Sequence, residues 1–468
     1  MGNSLALMML AIWPIVSAFL FSKLDYQRAA LWTVLAGYLL LPPVSAIHLP
    51  MIPSLTKDSI VGICAIVGAL SLRKDAVLPW IRLETWVIVL VGVAVVTPMV
   101  TMVTNPEPLV EGISYRPGLG IKDGISGVMY VALELMPFIV GYMVLSSRDA
   151  IRVWMLALLL AGLAYTLPML IEIRLSPQLN VWIYGFFAHD FGQSMRYGGF
   201  RPMVFLEHGL WVAMFTVMVV LSAAVMLREP SDPARSRKIA TLVYLLAVLV
   251  LCKSVASMLY AFTLVPVILF LGPRWQAKLA GVLAIAVFVY PVALWLGLVP
   301  VKGITDLAMG LDAERGQSLE FRFDNEQVLL DRASLKPLAG WGAWGRNLEV
   351  DPYSGRFTTV TDGQWIVAMT LSGILGYVAS FGLLCGSVVR IWLSARSNGI
   401  DRWTAGLALI MAANLVDLIP NATLTPLTWL SAGALAGLAA RGVASQGAAE
   451  RPAAVLLARR PAMRTIIG

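Results

Sequence analysis

The segment TWVIVLVGVAVVTPMVTMV, residues Thr85–Val103, decides the fold of this chain. It contains no charged residue, and as an α-helix rising about 1.5 Å per residue it is long enough to cross the apolar core of a bilayer. Similar runs recur along the sequence, so that 59% of residues are hydrophobic and only 13% are charged. Soluble proteins carry roughly 25% charged residues. With a mean hydropathy of +0.79, the chain is predicted to be an all-α, polytopic integral membrane helical bundle.

We predict about 12–13 transmembrane helices, because each of the apolar runs approaches the length of a membrane span. The predicted spans are Leu5–Phe21, Ala29–His48, Ser59–Leu72, Thr85–Val103, Ile125–Leu145, Val153–Ile171, Met203–Leu227, Ala240–Cys252, Ala256–Leu271, Leu279–Leu298, Gln364–Ile391, Ala405–Ile419 and Leu427–Ala440. The chain then divides into transmembrane helices with short loops (1–300), a large loop (301–362), C-terminal transmembrane helices (363–442) and a tail (443–468).

Basic residues predict the orientation, since short cytoplasmic connections are enriched in Lys and Arg. One set of connections and the tail hold 21 of the 35 basic residues. The loops Asn105–Asp123, Ser176–Pro202 and Val301–Asp362 then lie on the opposite side, which is periplasmic in the inner membrane of a Gram-negative bacterium. This asymmetry accounts for most of the net charge of +8, and a nucleic-acid partner is not needed to explain it.

The large loop is predicted to be partly helical. Leu319, Phe323 and Leu330 share one face of a helix over Ser318–Ser334, and an Arg322–Glu326 pair at i, i+4 lies on another face. Lys336-Pro337 ends that helix because proline lacks a backbone donor. We expect the helix to lie along the outer membrane surface as the roof of a cavity.

Candidate site residues cluster at the predicted outer face, and no motif for a nucleotide, a metal or another cofactor is present. Arg201 opens a predicted span, His208 follows two helical turns later, and Glu207 is adjacent. Arg322 and Lys253 are further cations on the same side, with Arg196 close to Arg201 in sequence. Arginine presents planar, bidentate donors to phosphate oxygens, so these cations suit a diphosphate.

Two acids fall within predicted spans, Glu134 before Pro137 and Asp417 near the outer end of its helix. Charged groups in a span usually face the interior of the bundle and serve a function. Each is interpreted as a counter-ion, a proton relay or a helix-packing hydrogen bond.

Three segments carry a resemblance to a known family. Phe200–Gly209 (FRPMVFLEHG) is similar to an arginine-led entry into a span, and Lys253–Ser257 (KSVAS) to a Ser-Arg-Gly-Ala break between short spans. Arg322 followed by Lys336–Gly342 (KPLAGWG) is similar to a large-loop pattern of arginine, helix and Pro-Leu-x-Gly-x-Gly. In these segments the chain resembles the O-antigen ligase and O-antigen polymerase superfamily, which includes exopolysaccharide polymerases.

The resemblance has one clear departure. Thr361–Trp365 (TDGQW) stands where many members carry a His-Asn pair, and a Gly-x-x-Gly span follows with Gly373 and Gly376. The histidine proposed as a base in those members is absent. Asp362, Glu207 and His208 are the alternatives for the base, and the sequence leaves the choice open.

The resemblance implies a glycosyltransferase that polymerises or transfers glycan units linked to undecaprenyl diphosphate, by metal-independent inverting transfer and without a cofactor. Arg201, Arg322, Arg196 and Lys253 would bind the diphosphate. Trp341, Trp344 and Trp365 offer faces on which sugar rings stack. Partners would be the lipid-linked oligosaccharide, the growing glycan acceptor and membrane lipid, together with chain-length regulators or export proteins.

Other functions compete with this interpretation. A ligase acting on lipid A-core is the alternative within the resemblance. A transporter or flippase of lipid-linked sugars predicts inverted repeats and broken helices at the membrane midplane, and no repeat is found in the sequence. A non-catalytic scaffold of an envelope assembly is the third alternative.

Overall fold

The computed structural model describes residues 2–49, 52–77, 83–229, 234–311 and 313–449. Helices dominate the described chain, and we number them α1–α16. Their bounds are Ser4–Lys23 (α1), Tyr26–Leu40 (α2), Lys57–Val77 (α3), Thr85–Thr104 (α4), Ile121–Val144 (α5), Arg148–Leu175 (α6), Leu179–Tyr184 (α7), Gly209–Leu227 (α8), Arg235–Leu251 (α9), Val255–Phe270 (α10), Pro273–Trp295 (α11), Val301–Leu311 (α12), Ala313–Ser334 (α13), Gln364–Asn398 (α14), Arg402–Asp417 (α15) and Pro426–Ala449 (α16).

The strands form three small antiparallel hairpins in the connections between helices. They are β1–β2, β3–β4 and β5–β6, with bounds Ala46–Ile47, Leu55–Thr56, Leu109–Glu111, Ser114–Arg116, Met195–Arg196 and Gly199–Phe200. We call the end of the bundle that carries these hairpins together with α12 and α13 the outer end.

Seven helices in the described ranges are long and apolar enough to cross a membrane: α1, α4, α5, α6, α8, α11 and α14. The remaining predicted spans coincide with helices that are shorter or carry more charge, such as α2, α3 and α10. The prediction of an all-α polytopic bundle is therefore confirmed.

Small residues bring two central helices into close contact. On α5, a Cβ added at Gly141 would lie 2.1 Å from the carbonyl oxygen of Leu430, and on α16 a Cβ at Gly433 would lie 2.0 Å from that of Phe138. Gly437, four residues later, faces Tyr142 in the same way. Small residues at this spacing let the two helix backbones approach closely. Close packing of this kind holds helices together in a lipid bilayer, where the hydrophobic effect does not drive their association.

Helix α14 is broken near its outer end. Gly373 has φ 63° and ψ −162°, a conformation open only to glycine. Around this break, Trp341 N–H and Gly342 N–H donate to the carbonyl oxygens of Thr370 and Leu371, both at 2.9 Å. In return, Ile374 N–H donates to Pro337 O at 2.8 Å. The segment Pro337–Gly342 therefore forms hydrogen bonds with the backbone N–H and C=O groups of α14 that lose their helical partners at the break.

The glycines at this contact have no room for a side chain. A Cβ at Gly340 would lie 2.5 Å from the Leu371 carbonyl carbon, and one at Gly373 would lie 2.5 Å from Ala339 N. From the sequence alone, the three closely spaced glycines Gly340, Gly342 and Gly345 favour a flexible turn. Instead Gly340 and Gly342 are docked against α14. The Gly342 N–H donates to the Leu371 carbonyl, whereas the Gly340 N–H donates to the Lys336 carbonyl and Gly340 packs closely against the backbone of Leu371.

The irregular segment Arg201–His208, which precedes α8, is fixed by a buried carboxylate. Glu172 Oε2 accepts the N–H groups of Met203 and Val204, each at 2.7 Å, and its Oε1 accepts Leu179 N–H at 3.0 Å. Val204 has φ 52°, in the left-handed region. Lys57 Nζ donates to the Phe205 carbonyl at 2.9 Å. Residues Arg201–His208 are therefore held from two sides, and we call them the anchored segment.

Some predicted boundaries were wrong. The span predicted over Ala29–His48 ends at Leu40, because the chain turns at Pro42-Pro43 and then enters β1. The span predicted from Met203 begins at Gly209, where the His208 side chain caps the helix. At the C-terminus, α16 continues to Ala449 into the predicted tail, whose residues 450–468 lie outside the described part of the chain.

Candidate functional site

Arg201 is a buried arginine without a carboxylate partner. Its side chain is 4% exposed and its Nε makes no hydrogen bond. Among the described residues, no Asp or Glu lies within ion-pair distance of its guanidinium, and Glu207, the acid nearest to it in sequence, lines a cavity instead. A buried charge without a partner is costly, so such a group is typical of a site for an external anion.

Two more cations lie beside Arg201. Arg196 is on the exposed β5 and acts on Arg201 through its charge. Lys253, in the short break between α9 and α10, donates to the Arg196 carbonyl at 2.9 Å. Gly199 permits this approach, because a Cβ there would lie 2.3 Å from Lys253 Nζ. We call Arg196, Arg201 and Lys253 the cation cluster.

His208 adjoins the cation cluster as the N-cap of α8. Its Nδ1 accepts the Leu210 N–H at 3.1 Å, so the proton of the neutral imidazole is on Nε2. Burial, together with the charge of Arg201, lowers the pKa of His208 to about 3. Because Nδ1 is occupied and the cationic form is disfavoured, His208 is suited to donate a hydrogen bond from Nε2 and poorly suited to act as a base.

The prediction that Arg201 and His208 lie two turns apart on one helix face was wrong, since both precede the helix. They are nevertheless close, because the segment from 201 to 208 folds back onto the start of α8: a Cβ at Gly209 would lie 3.2 Å from Arg201 Cβ. Their proximity therefore comes from the anchored segment rather than from helical spacing.

Arg322 lies in a different cluster at the outer end. Its Nε is 3.6 Å from Asp362 Oδ2, and its Nη1 donates to the Pro420 carbonyl at 3.4 Å. Both side chains of the ion pair are about one-third exposed, at 35% and 33%. The predicted pair with Glu326 is wrong, because Asp362 pairs with Arg322 instead. That Arg322 and Arg201 bind one diphosphate from opposite sides of a shared cavity stays a prediction.

Glu326 is held in the core of the loop. Tyr290 Oη donates to its Oε2 at 3.2 Å and Trp365 Nε1 to its Oε1 at 3.3 Å. Burial raises the pKa of Glu326 to about 7, and the two hydrogen bonds oppose that rise only in part. The prediction that placed Glu326 on a different face from Phe323 and Leu330 was wrong, because at about 100° per residue these three positions lie within about 60° of one another around the helix axis. That spacing was the available signal for an inward-facing acid.

The tryptophans differ in exposure. Trp365 is 1% exposed and Trp341 is 7% exposed, so neither presents a face to a ligand. Trp341 donates to the Arg332 carbonyl at 2.8 Å and stacks under the Arg332 guanidinium. Trp344 is 60% exposed and donates to Asp123 at 3.1 Å. Of the three predicted sugar-stacking residues, only Trp344 is open to solvent.

Glu207 is partly exposed and lines a cavity whose lining does not include Arg201. The cavity also contains Lys57, Asp58 and Glu134. Sequence reasoning named Glu134 only as an acid within a span and did not name Lys57 or Asp58, which begin α3. Asp417 accepts hydrogen bonds from Asn421 and Thr423, at 3.0 and 2.6 Å, and so closes the outer end of α15.

A scan of protein-family models gave no match to this chain, and neither did a search of curated protein sequences. The fold and the arrangement of charges therefore define its class. It is a multi-pass, all-α membrane protein with a buried arginine at the outer end of the bundle that no carboxylate among the described residues pairs.

Proposed function

We propose that this protein is a glycosyltransferase of the bacterial inner membrane. It extends or transfers glycans from an undecaprenyl diphosphate-linked donor at the periplasmic face, as an exopolysaccharide or O-antigen polymerase. The proposal rests on the sequence resemblance of three segments and on the chemistry of the residues that those segments place at the outer end.

The observation that carries the proposal is the buried Arg201 guanidinium, which no carboxylate among the described residues neutralises. Arg196 and Lys253 add two positive charges beside it, so the cation cluster favours a ligand with more than one negative charge. A diphosphate at the head of a lipid meets this requirement, and the apolar exterior of the bundle suits its lipid tail.

The same arginine suits the reaction. When the bond between the anomeric carbon and the diphosphate oxygen breaks, negative charge develops on the leaving diphosphate. A guanidinium already in place stabilises this charge more in the transition state than in the ground state, and that difference accelerates the reaction. The His208 Nε2 proton supplies a further hydrogen bond at the edge of the cluster.

Of the three candidates for the base, Glu207 has the most suitable position. Asp362 is paired with Arg322 in the other cluster, and His208 accepts a backbone hydrogen bond at Nδ1. Glu207 is partly exposed and directly precedes His208, so its Cα is about 3.8 Å from that of a residue bordering the cation cluster. It would remove the proton of the acceptor hydroxyl as that oxygen attacks the anomeric carbon, and attack opposite the leaving group inverts this carbon.

Reconstitution tests the proposal. The purified protein in proteoliposomes would receive undecaprenyl diphosphate-linked glycan with EDTA and without ATP, and mass spectrometry would follow the glycan length. Growth of the glycan with release of undecaprenyl diphosphate is expected. Donor translocation across the bilayer without any new glycosidic bond would support a flippase and contradict the proposal.

A further inference from the structure

The cavity that Glu207 lines is separate from the cation cluster, because none of Arg196, Arg201 and Lys253 lines it. It has a volume of about 250 Å³ and is formed by the start of α3, the middle of α5, the segment before α8 and the start of α16. Its chemical groups are Lys57, Asp58, Glu134 and Glu207, with Tyr130 and Trp429 as aromatic walls. Ligand pockets for drug-sized molecules usually occupy about 300–1,000 Å³, so this cavity fits a small unit.

The carboxyl groups of the cavity outnumber its cations. Lys57 Nζ is committed to the carbonyl oxygens of Tyr38 and Phe205, at 3.3 and 2.9 Å. Asp58 Oδ1 is buried without a hydrogen-bond partner, and no ion pair within the described ranges involves Glu134 or Glu207. The cavity therefore offers several acceptor oxygens that the protein itself leaves unused, and it disfavours an anionic ligand.

Trp429 gives an independent indication of a ligand. Its side chain is 2% exposed, it lines the cavity, and its indole N–H makes no hydrogen bond of good geometry. The N–H lies near the Glu134 carboxylate. A buried donor beside a half-buried carboxylate, adjacent but without a well-aligned hydrogen bond between them, forms a pair that a hydroxyl group satisfies, because a hydroxyl both donates and accepts.

The cavity and the cation cluster share a wall. Glu207 faces the cavity, while His208, the next residue, borders Arg201. Lys57, another lining residue, donates to the Phe205 carbonyl of the same segment. A ligand bound in the cavity would therefore lie next to the site that we assign to the diphosphate.

We propose that this cavity binds one sugar unit through its hydroxyl groups, and that this unit is the acceptor end of the glycan. The carboxylates accept hydrogen bonds from sugar hydroxyls, and the Trp429 N–H donates to a sugar oxygen. Tyr130, a lining residue that is 63% exposed, offers an aromatic face to the sugar ring. The assignment as acceptor rests on the proposed function, whereas sugar binding in the cavity does not.

Sugar binding is measured in the absence of the lipid-linked glycan donor. Saturation-transfer NMR on the protein in lipid nanodiscs would use glucose, N-acetylglucosamine, glucosamine and glucuronate at millimolar concentration. We expect signals from the neutral sugars and from glucosamine, and a signal at least about fivefold weaker from glucuronate, whose carboxylate meets those of the cavity.

Two variants and a control assign the binding to the cavity. Leu133→Trp fills the cavity from α5 and should abolish the signals, while Glu134→Gln should raise the dissociation constant about tenfold by removing a charged acceptor. Glu107→Gln changes an exposed acid at the same end and should have no effect. Absence of signal from every sugar, or signals unchanged in Leu133→Trp, would overturn the proposal.

The two proposals fail separately. If Leu133→Trp leaves glycan growth intact in proteoliposomes, the acceptor assignment is wrong and the proposed transferase function stands. If the wild-type protein binds sugars in the cavity but forms no glycosidic bond, the transferase function is wrong and the sugar site stands.

Discussion

At the scale of single residues, the outer end contains charges that the fold satisfies and charges that it leaves open. Glu172, 1% exposed, accepts three backbone N–H groups and so supports the segment before α8. Arg332 likewise has its partners within the protein: it donates to the Arg346 carbonyl and forms ion pairs with Glu111 and Glu349. Within the described part of the chain, Arg201 and Glu207 lack such partners. This contrast separates structural charges from candidates for binding and chemistry.

Glu207 is expected to act as the base. Glu207→Gln should lower turnover about 10²–10⁴-fold, because a general base contributes about that factor, while the affinity for the lipid-linked donor stays within about threefold. Asp362→Asn and His208→Gln are the comparison variants. Donor binding and turnover would be measured separately in nanodiscs. Wild-type turnover in Glu207→Gln together with loss in Asp362→Asn would assign the base to Asp362.

Glu326 is expected to make stability depend on pH. Its pKa in the folded protein, about 7, lies above the ordinary value of 4.5, so the folded state holds the proton more tightly than the unfolded state. The stabilising contribution of this group to the free energy of unfolding is therefore fully present below about pH 4.5 and is lost as the pH rises through about 7. The resulting change in the free energy of unfolding is on the order of 3 kcal/mol.

Glu326→Gln should remove that dependence, because the amide accepts from Trp365 and donates to Tyr290 without a charge. Its thermal unfolding temperature should exceed that of the wild type at pH 8 and match it at pH 5. A Glu326→Gln variant that is less stable than the wild type at pH 8 would contradict this prediction, because it would show that neighbouring groups stabilise the charged carboxylate in the folded protein.

At the scale of elements, the broken α14 and the segment Pro337–Gly342 form one unit. Four backbone hydrogen bonds join them across the break at Gly373, and the β3–β4 hairpin is tied to the same loop by Arg116, which donates to the Gly345 and Leu348 carbonyls. This docking fixes the end of α13 and therefore the position of Arg322 and Glu326 over the bundle.

Gly373→Ala should disrupt this unit, because alanine at φ 63° and ψ −162° is strained and its Cβ would meet the backbone of Ala339. We expect a loss of about 2 kcal/mol or more in stability and faster proteolysis within 335–363. Gly92→Ala is the matched control, since a Cβ at Gly92 on α4 meets nothing within 4 Å, and it should be neutral or slightly stabilising. Equal behaviour of the two variants would contradict the docking role.

The elements also show what could be predicted from the sequence. The apolar spans and the helix ending at Ser334 were predictable, because apolar runs and proline act locally. The partners of the polar residues were not. Tyr290 and Glu326 are 36 residues apart, and Glu111 and Arg332 are 221 apart. Such pairs depend on how the helices pack, and no local pattern encodes that packing.

At the scale of the whole molecule, the charges separate between the two ends. The basic connections meet at the end opposite the hairpins, where Glu229 pairs with Arg152, Lys238 and Arg402. The cation cluster, the Arg322–Asp362 pair and the acidic cavity all lie at the outer end. The site thus faces the side that the basic-residue asymmetry predicts to be periplasmic.

Cysteine labelling tests this orientation. The natural Cys64, Cys252 and Cys385 are buried, so background labelling should be low. Ser318→Cys in intact cells should react with a membrane-impermeant maleimide, and Ser236→Cys should react only after lysis. The reverse pattern would place the cation cluster in the cytoplasm and exclude a periplasmic reaction.

The rate of glycan growth by Arg201 variants tests the central claim most directly, namely that the buried, unpaired Arg201 stabilises a leaving diphosphate. With undecaprenyl diphosphate-linked glycan in proteoliposomes, Arg201→Ala should reduce the rate about a hundredfold or more. Arg201→Lys should restore it only in part, because lysine cannot bind bidentately. Arg174→Ala, an exposed arginine at the end of α6, should match the wild type. A near-normal rate for Arg201→Ala, with wild-type protein active in the same assay, would contradict the account.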